Sequence, residues 1–262
     1  MKKTRYEAKR PDRHGRIPYT DEENETWSIL YQRQWQQLPG RACSDFIRGL
    51  ERLELPTDRV PQPDEVSARL LDFTGWRVEP VPALINFTDF FALLAQRRFP
   101  AASFIRRRED LDYLQEPDIF HEIFGHCPLL TYPGFADFTE NYGRYGLQAS
   151  KADRPMLARL YWFTVEFGLL REQGRLRAYG AGINSSPGEL NYALNSHRPE
   201  RLPFRPLDAL RTPYRIDIYQ PVYYVLDHPR DLYHLAEVDL QALIDQARKL
   251  GEFAPRFEQE AS

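Results

Sequence analysis

The sequence has little that would tie it to a membrane, to nucleic acid or to an oxidising compartment. Its 262 residues include only two cysteines, Cys43 and Cys127, so at most one disulfide bond could form. No run of about 18 apolar residues is present, and the sequence therefore predicts no membrane span. The 35 basic and 38 acidic residues nearly balance, which gives no support to nucleic-acid binding. We expect a cytoplasmic protein with two reduced thiols.

The start of the chain is basic, but no apolar run follows it, so it lacks the pattern of a signal peptide. We expect residues 1–19 to form a solvated N-terminal arm and residues 256–262 to form a C-terminal tail. The 21 prolines are scattered and not gathered in a linker, and no internal repeat is visible. This organisation favours one domain over residues 20–255, which is long enough to bury a substantial core.

Helical patterns dominate the chain. A capping box at Thr20 indicates the start of the first helix. The strongest predicted helix covers residues 153–174, and because its middle is apolar on all sides we expect it to be central and buried. A final amphipathic helix is predicted over residues 231–250. Only short segments, such as 176–179 and 214–226, look extended, so the predicted fold class is mainly α with minor β.

One apolar motif contains two of the six histidines, His121 and His126, five positions apart with Glu122 between them. On a regular α-helix such residues point about 140° apart, so they can share one metal ion only if the helix is distorted. Gly125 would permit a distortion. Zinc peptidases place their histidines four positions apart. The spacing therefore argues against a zinc hydrolase with Glu122 as general base, although that alternative stays open.

A second signal is Glu166, a carboxylate in the middle of the predicted buried helix. Its burial would cost several kcal/mol unless the group is paired, protonated or bound to metal. Together with His121 and His126 it completes the set of two histidines and one carboxylate that is typical of non-haem Fe(II) sites with open coordination positions. The alternative is a non-catalytic helical domain in which both histidines only pack in the core.

Two further side chains suit an aromatic amino acid as substrate. Trp162 precedes Glu166 by one α-helical turn, so the two would share a helix face and the indole could stack on an aromatic ring. On its own, Trp162 is better explained as core filling. Arg106 follows two apolar residues and could bind a carboxylate, although a run of three arginines is usually a solvated surface.

These motifs resemble the pterin-dependent aromatic amino acid hydroxylases, and especially their bacterial members that act on phenylalanine. The resemblance covers residues 20–250 in consistent order, and the combined motifs are highly specific. The segments that carry it are 74–76, 116–129, 161–169, 179–182, 185–186, 188–189, 220–221 and 223–224.

The resemblance implies a single basket-like catalytic domain with phenylalanine 4-monooxygenase activity. Such a domain converts L-phenylalanine to L-tyrosine with O2 and a tetrahydropterin, either tetrahydrobiopterin or a bacterial equivalent, as the first step of phenylalanine catabolism. The family's mechanism passes through a peroxypterin and an Fe(IV)-oxo species. A tryptophan hydroxylase would use the same machinery and remains an alternative, because the shape of the pocket decides between the two substrates.

The resemblance also implies three groups of site residues. The implied iron ligands, which are also the catalytic residues, are His121, His126 and Glu166. The residues implied to bind the substrate are Arg106, at the substrate carboxylate, Trp162 and Ser185. The residues implied to bind the pterin are Phe90, Glu122 and Tyr161.

Two positions depart from the family pattern. Leu114 stands where mammalian members have threonine, and Asn184 replaces an apolar residue that is common just before the serine pair. Animal members also carry an N-terminal regulatory domain and a C-terminal tetramerisation helix, for which this sequence has no room. We therefore expect a monomer or weak dimer without an allosteric substrate switch. The oxidised pterin would have to be recycled by other enzymes, which implies functional coupling to them.

Overall fold

The structure is a computed structural model that describes residues 6–82 and 85–257, and its described part is mainly helical, as the sequence predicts. The α-helices are α1 (Asp21–Trp35), α2 (Ser44–Leu53), α3 (Pro63–Thr74), α4 (Phe87–Leu94), α5 (Cys127–Leu130), α6 (Pro133–Gln148), α7 (Arg154–Tyr161), α8 (Ala181–Asn184), α9 (Pro187–Asn195), α10 (Pro206–Arg211), α11 (Arg230–Tyr233) and α12 (Leu240–Leu250). Two π-helical turns cover His121–His126 and Trp162–Glu166, and 3-10 turns cover Arg108–Asp110 and His234–Ala236. No helix in the described ranges is long and apolar enough to cross a membrane.

Six strands form two small sheets in the described ranges: β1 (Arg77–Val81), β2 (Arg98–Ala102), β3 (Leu169–Glu172), β4 (Arg175–Ala178), β5 (Glu200–Pro203) and β6 (Val222–Leu226). Strands β1 and β2 pair in parallel. The larger sheet has the order β4-β3-β6-β5, with β3 antiparallel to β4 and parallel to β6, and β5 parallel to β6. Every residue of β6 is buried, so this strand forms the inner part of the sheet.

The core is a continuous apolar cluster that surrounds both π turns and is rich in large aromatic side chains. The capping box at Thr20 is confirmed: its hydroxyl accepts from the backbone N–H of Glu23, whose carboxylate accepts from Thr20 in return. One turn later Trp27 is fully buried and donates its indole N–H to the carbonyl of Pro56 at 2.8 Å. Helix α1 is therefore fixed at its start and anchored in the core.

The prediction of one helix over residues 153–174 was wrong in its last third. Helix α7 begins as expected and continues into the second π turn, but the chain leaves helical geometry at Phe167, where φ is −125°. The following residues form β3, and Gly174, with φ of +74°, lies in the turn between β3 and β4. A buried strand and a buried helix both appear as an apolar run, so the pattern alone could not locate this end.

Two other expectations need correction. The final helix, predicted over residues 231–250, is divided into α11, a 3-10 turn and α12, and the side chain of Asp239 caps α12 by accepting from the backbone of Ala242. Of the extended segment predicted over residues 214–226, only β6 is a strand.

Most described residues of the N-terminal arm are exposed, as expected, but the arm is packed against the domain at two points. Tyr6 and Ile17 are buried, and the ring of Tyr6 stacks on Phe104 with centroids 4.7 Å apart. The backbone of Ile17 exchanges two hydrogen bonds with the side chain of Gln62, at 2.8 and 3.1 Å. The first five residues of the arm, and residues 258–262 of the predicted tail, lie outside the described residues.

Candidate metal centre

The first π turn brings the two histidines of the motif together. In a π-helix the backbone hydrogen bonds run from residue i to i+5, so residues five apart become neighbours. The Nε2 atoms of His121 and His126 lie 3.0 Å apart. Pro128 lacks the N–H that would continue regular bonding to the preceding turn. Gly125 allows α8 to lie close, because a Cβ there would come within 3.1 Å of the Ala181 carbonyl oxygen.

The second π turn adds the carboxylate. The Phe167 N–H bonds to the Trp162 carbonyl at 2.9 Å, which is the i to i+5 pattern. The Glu166 oxygens lie 3.5 Å from Nε2 of His121 and 3.2 Å from Nε2 of His126. The three candidate ligand atoms all lie within 4.8 Å of one another. Two separate distortions of regular helix therefore converge on one point.

The donor atoms have the spacing that a single metal ion requires. Metal–ligand bonds of about 2.1 Å place neighbouring donors about 3.0 Å apart at right angles and about 3.4 Å apart at tetrahedral angles. The two shortest distances between candidate donor atoms are 3.0 Å, from Nε2 of His121 to Nε2 of His126, and 3.2 Å, from Nε2 of His126 to a Glu166 oxygen. Two imidazoles and one carboxylate on one side of an ion suit non-haem iron and leave its other positions free for reactants.

The surroundings of His121 and Glu166 favour the metal-binding protonation states of these two residues. Burial lowers the pKa of His121 to about 4, although Glu166 acts in the opposite direction. The Ser185 hydroxyl donates to the Ala181 carbonyl at 2.8 Å, so it must accept from Nδ1 of His121, 3.0 Å away. That tautomer leaves the Nε2 lone pair for metal. Burial alone would raise the pKa of Glu166, but His126 and His121 outweigh it and hold the pKa below its ordinary value.

Arg106 belongs to the buried interior and not to a solvated run of arginines. Its Nε and Nη2 donate to the two oxygens of Asp118 at 2.8 and 2.9 Å, and neither side chain is exposed. Burial opposes both charges, yet each partner keeps the other ionised: the pKa of Arg106 is raised and that of Asp118 is lowered. Asp118 also accepts from the backbone N–H of His121 at 3.1 Å. One carboxylate thus fixes both Arg106 and the start of the first π turn.

The residues that the resemblance assigns to the pterin lie together beside the metal ligands. The rings of Phe90 and Tyr161 meet edge to face with centroids 5.6 Å apart, and the ring of Tyr161 lies 6.3 Å from that of His126. Burial, together with the charges of Glu166 and Asp118, raises the pKa of Glu122 well above its ordinary value. Phe90 and Tyr161 therefore form one aromatic surface. Burial and the charges of Glu166 and Glu122 raise the pKa of Tyr161, which places Glu122 near this surface.

Trp162 forms a second aromatic surface. Its ring stacks on Tyr214 with centroids 4.4 Å apart and contacts Phe167 at 4.5 Å. Trp162 and Glu166 are the two ends of the second π turn, and the shared face expected for them stays a prediction.

Three residues that contribute to the site were missed from the sequence. Asp118 is a carboxylate inside the apolar motif, and the argument used for Glu166 would have found it. Phe99, which packs against the His126 ring with centroids 4.9 Å apart, and Tyr214 gave no such signal, because only tertiary packing brings them to the site.

Comparison with known proteins finds similarity to one family. The sequence model of the biopterin-dependent aromatic amino acid hydroxylases matches residues 1–242. The phenylalanine-4-hydroxylase of Pseudomonas aeruginosa is 54% identical over 257 residues, which are 98% of each chain. The apo structure of the cold-active phenylalanine hydroxylase from Colwellia psychrerythraea has a TM-score of 0.94 at 54% identity, covering 96% of this chain and 97% of that one. The Chromobacterium violaceum phenylalanine hydroxylase with bound oxidised Fe(III) has a TM-score of 0.87 at 47% identity, covering 90% and 86%.

Proposed function

The chain belongs to the biopterin-dependent aromatic amino acid hydroxylases, and we propose that it converts L-phenylalanine to L-tyrosine at a non-haem iron held by His121, His126 and Glu166. It is a monooxygenase that uses O2 and a tetrahydropterin. The observation that carries the proposal is the compact donor set, whose three ligand atoms lie within 4.8 Å of one another. Family membership supports iron over the zinc of a hydrolase, and it supports a metal-binding role for the histidines over a purely structural one.

The chemistry that iron and tetrahydropterin supply when bound is reductive activation of O2: two electrons come from the pterin, one oxygen atom enters the aromatic ring and the other is reduced to water. The residues of the chain place the reactants. Ser185 holds His121 in the tautomer whose Nε2 can bind metal. The apolar side chains around the ligands keep the site poor in water, which strengthens every charge interaction inside it.

The substrate carboxylate binds to Arg106. The bonds to Asp118 use the backbone N–H, Nε and Nη2 of Arg106, which leaves Nη1 outside that pair. A guanidinium held in one plane binds a carboxylate with defined direction and a permanent charge. The substrate ring packs against Trp162, and Ser185 lies beside the same pocket. The relatives named as phenylalanine-4-hydroxylases support phenylalanine as the substrate.

The pterin binds on the aromatic surface formed by Phe90 and Tyr161. The ring of Phe90 is partly exposed, which suits stacking on a flat heterocycle, while Tyr161 and Glu122 supply polar groups beside it. This arrangement separates the cofactor from the amino acid and leaves both next to the three metal ligands.

The remaining proposals concern the setting of the enzyme. Cys43 and Cys127 are buried and unpaired, which supports a cytoplasmic, reducing location. We propose that the chain works as a monomer or weak dimer and that a diffusing pterin couples it to recycling enzymes, as the first step of phenylalanine catabolism.

The test is an aerobic assay of Fe(II)-reconstituted protein with tetrahydropterin, offering phenylalanine and tryptophan together and separating the products by chromatography. Tyrosine formation that requires both iron and pterin is the expected result. Absence of hydroxylated product from either amino acid, with iron shown to be bound, would overturn the proposal. Predominant hydroxylation of tryptophan would keep the reaction class and replace the substrate.

A further inference from the structure

The geometry points to Gln220 as a positioning residue that fixes the in-plane orientation of the Trp162 indole and so determines how the substrate ring is held. This inference rests on the proposed function, because it takes Trp162 to border the substrate. Gln220 lies 58 positions from Trp162 in the chain and is 1% exposed.

The amide of Gln220 has only one possible orientation. Its Nε2 donates to the carbonyl oxygens of Arg215 and Ile218, both at 2.9 Å. Because both amide hydrogens are used on these acceptors, Oε1 must point the other way. There it accepts the indole N–H of Trp162 at 2.9 Å. The tryptophan therefore donates to an acceptor that cannot rotate away.

The backbone of Gln220 is fixed independently. Its N–H donates to Oε1 of Glu189 at 3.3 Å, and the same oxygen accepts the hydroxyl hydrogen of Tyr223. Glu189 lies in the first turn of α9, where its own N–H donates to the Ser186 side chain at 3.3 Å. One buried glutamine thus connects the second π turn, the loop before β6 and helix α9.

Stacking alone does not fix the indole. Tyr214 and Phe167 contact the Trp162 ring at centroid distances of 4.4 and 4.5 Å and so restrict its tilt. Contacts of this kind tolerate sliding and rotation within the ring plane, because dispersion is weakly directional. The hydrogen bond to Gln220 removes that remaining freedom. The edge that the indole presents to the substrate consequently depends on Gln220.

The first test replaces Gln220 by methionine, which keeps the chain length and removes every hydrogen bond. With phenylalanine as substrate and Fe(II)-loaded protein, Gln220→Met should raise KM for phenylalanine about tenfold and halve the tyrosine formed per tetrahydropterin oxidised. KM for tetrahydropterin and the iron content should stay within about twofold of wild type. Gln220→Glu, which keeps an acceptor but loses both donors, should give an intermediate effect.

A matched control is Gln62→Met. Gln62 is also buried and also loses two hydrogen bonds to backbone, but it lies against the N-terminal arm. The contacts that Tyr6 and Lys9 of the arm make near Arg106 do not involve Gln62. This variant should therefore lose thermal stability and keep the wild-type KM and the wild-type yield of tyrosine per tetrahydropterin oxidised.

The decisive comparison is a double-mutant cycle with Trp162→Phe, which removes the indole N–H. If Gln220 acts through the indole, Gln220→Met should add less than about twofold to the KM of Trp162→Phe. If the KM increases caused by Gln220→Met and Trp162→Phe are fully additive, the inference is overturned. It is also overturned if Gln220→Met keeps the wild-type KM and the wild-type yield of tyrosine per tetrahydropterin oxidised.

If Gln220→Met does not fold, Gln220→Leu, which also removes every side-chain hydrogen bond at this position, takes its place in the cycle and the same outcomes decide. A wild-type enzyme that forms no tyrosine would refute the proposed function itself. That outcome is distinguishable from an active enzyme whose KM and tyrosine yield do not change when Gln220 is substituted.

Discussion

The Nε2 atoms of His121 and His126 lie 3.0 Å apart because the helix between these residues is a π turn. Regular α-helix would point them about 140° apart and divide them between two faces. The second π turn supplies Glu166 in the same way. Short π turns are rare and frequently occur at functional sites, and here two of them converge on one set of ligand atoms.

The role of Glu166 is tested by Glu166→Ala. The variant should fold, because the carboxylate makes its close contacts to the two imidazoles and not to the core. Its affinity for Fe(II) should fall by more than about 100-fold and hydroxylation should be lost. The measurements are metal content after dialysis and thermal unfolding. Glu140→Ala, which removes a largely buried carboxylate paired with Arg97, is the control and should keep its iron. Full hydroxylation in Glu166→Ala would show that the ligand assignment is wrong.

Ser185 should control metal affinity without touching the metal. Ser185→Ala removes the acceptor that fixes the His121 tautomer, so iron affinity should fall about 10- to 100-fold. Competition with a chelator measures this directly. The neighbouring variant Ser186→Ala removes a helix cap and should cost about 1 kcal/mol of stability while leaving iron affinity unchanged. Equal iron affinity in the two variants would contradict the role given to Ser185.

The ion pair of Arg106 and Asp118 should be sensitive to removal of one partner. Asp118→Ala leaves a buried guanidinium without its counter-ion and should lower the free energy of unfolding by about 3–5 kcal/mol. Glu79→Ala removes the partly exposed partner of Arg98 and should cost less than about 1 kcal/mol. Urea unfolding of both variants makes the comparison, and similar losses would mean that Arg106 is less confined than its contacts indicate.

Glu189 should make the protein less stable as the pH rises. Burial raises its pKa from 4.5 to about 7, although hydrogen bonds from Tyr223 and Gln220 lower it in part. Below pH 4.5 the Glu189 carboxyl is protonated in both the folded and the unfolded states, so it does not lower the free energy of unfolding there. Between the two pKa values the folded state retains a proton that the unfolded state has lost, and the free energy of unfolding falls with pH.

This loss should reach about 2–3 kcal/mol between pH 5 and pH 8, since each pKa unit corresponds to about 1.4 kcal/mol. Glu189→Gln abolishes the titration, so its unfolding free energy should fall correspondingly less over the same interval. Urea unfolding at both pH values is the measurement, with Glu200→Gln as the exposed control. The same pH dependence in wild type and Glu189→Gln would show that this carboxyl titrates near its ordinary pKa.

The sequence predicted the mainly helical class and identified His121, His126 and Glu166, whose candidate ligand atoms the structure places within 4.8 Å of one another. Those predictions depended on local chemistry: two imidazoles in an apolar motif, and a carboxylate in the middle of an apolar helix. The requirement for a distorted helix also followed from the spacing of His121 and His126. The nature of the distortion did not, because glycine and proline permit several departures from α-helix.

What the sequence could not provide is set by contacts between distant segments. The helix through Trp162 ends soon after Glu166 because Gly168 and Gly180 allow β3, Tyr179 and α8 to approach, and a Cβ on Gly180 would lie 2.4 Å from the Glu166 carbonyl oxygen. Neither glycine stands out in an apolar run. The hydrogen bond between Trp162 and Gln220 was equally invisible, because it joins two segments that nothing in the local pattern relates.

The N-terminal arm supports the backbone on both sides of Arg106, the residue proposed to bind the substrate carboxylate. The hydroxyl of Tyr6 accepts from the backbone N–H of Arg107 at 3.1 Å, and its ring covers Phe104, so the arm contacts both sides of Arg106 along the backbone. Lys9 adds a further connection, since its carbonyl accepts from Ser103 at 2.8 Å. Because Arg106 is proposed to bind the substrate carboxylate, a protease cut that frees Tyr6 and Lys9 should weaken amino acid binding. The candidate iron ligands, carried by the π turns, should remain in place.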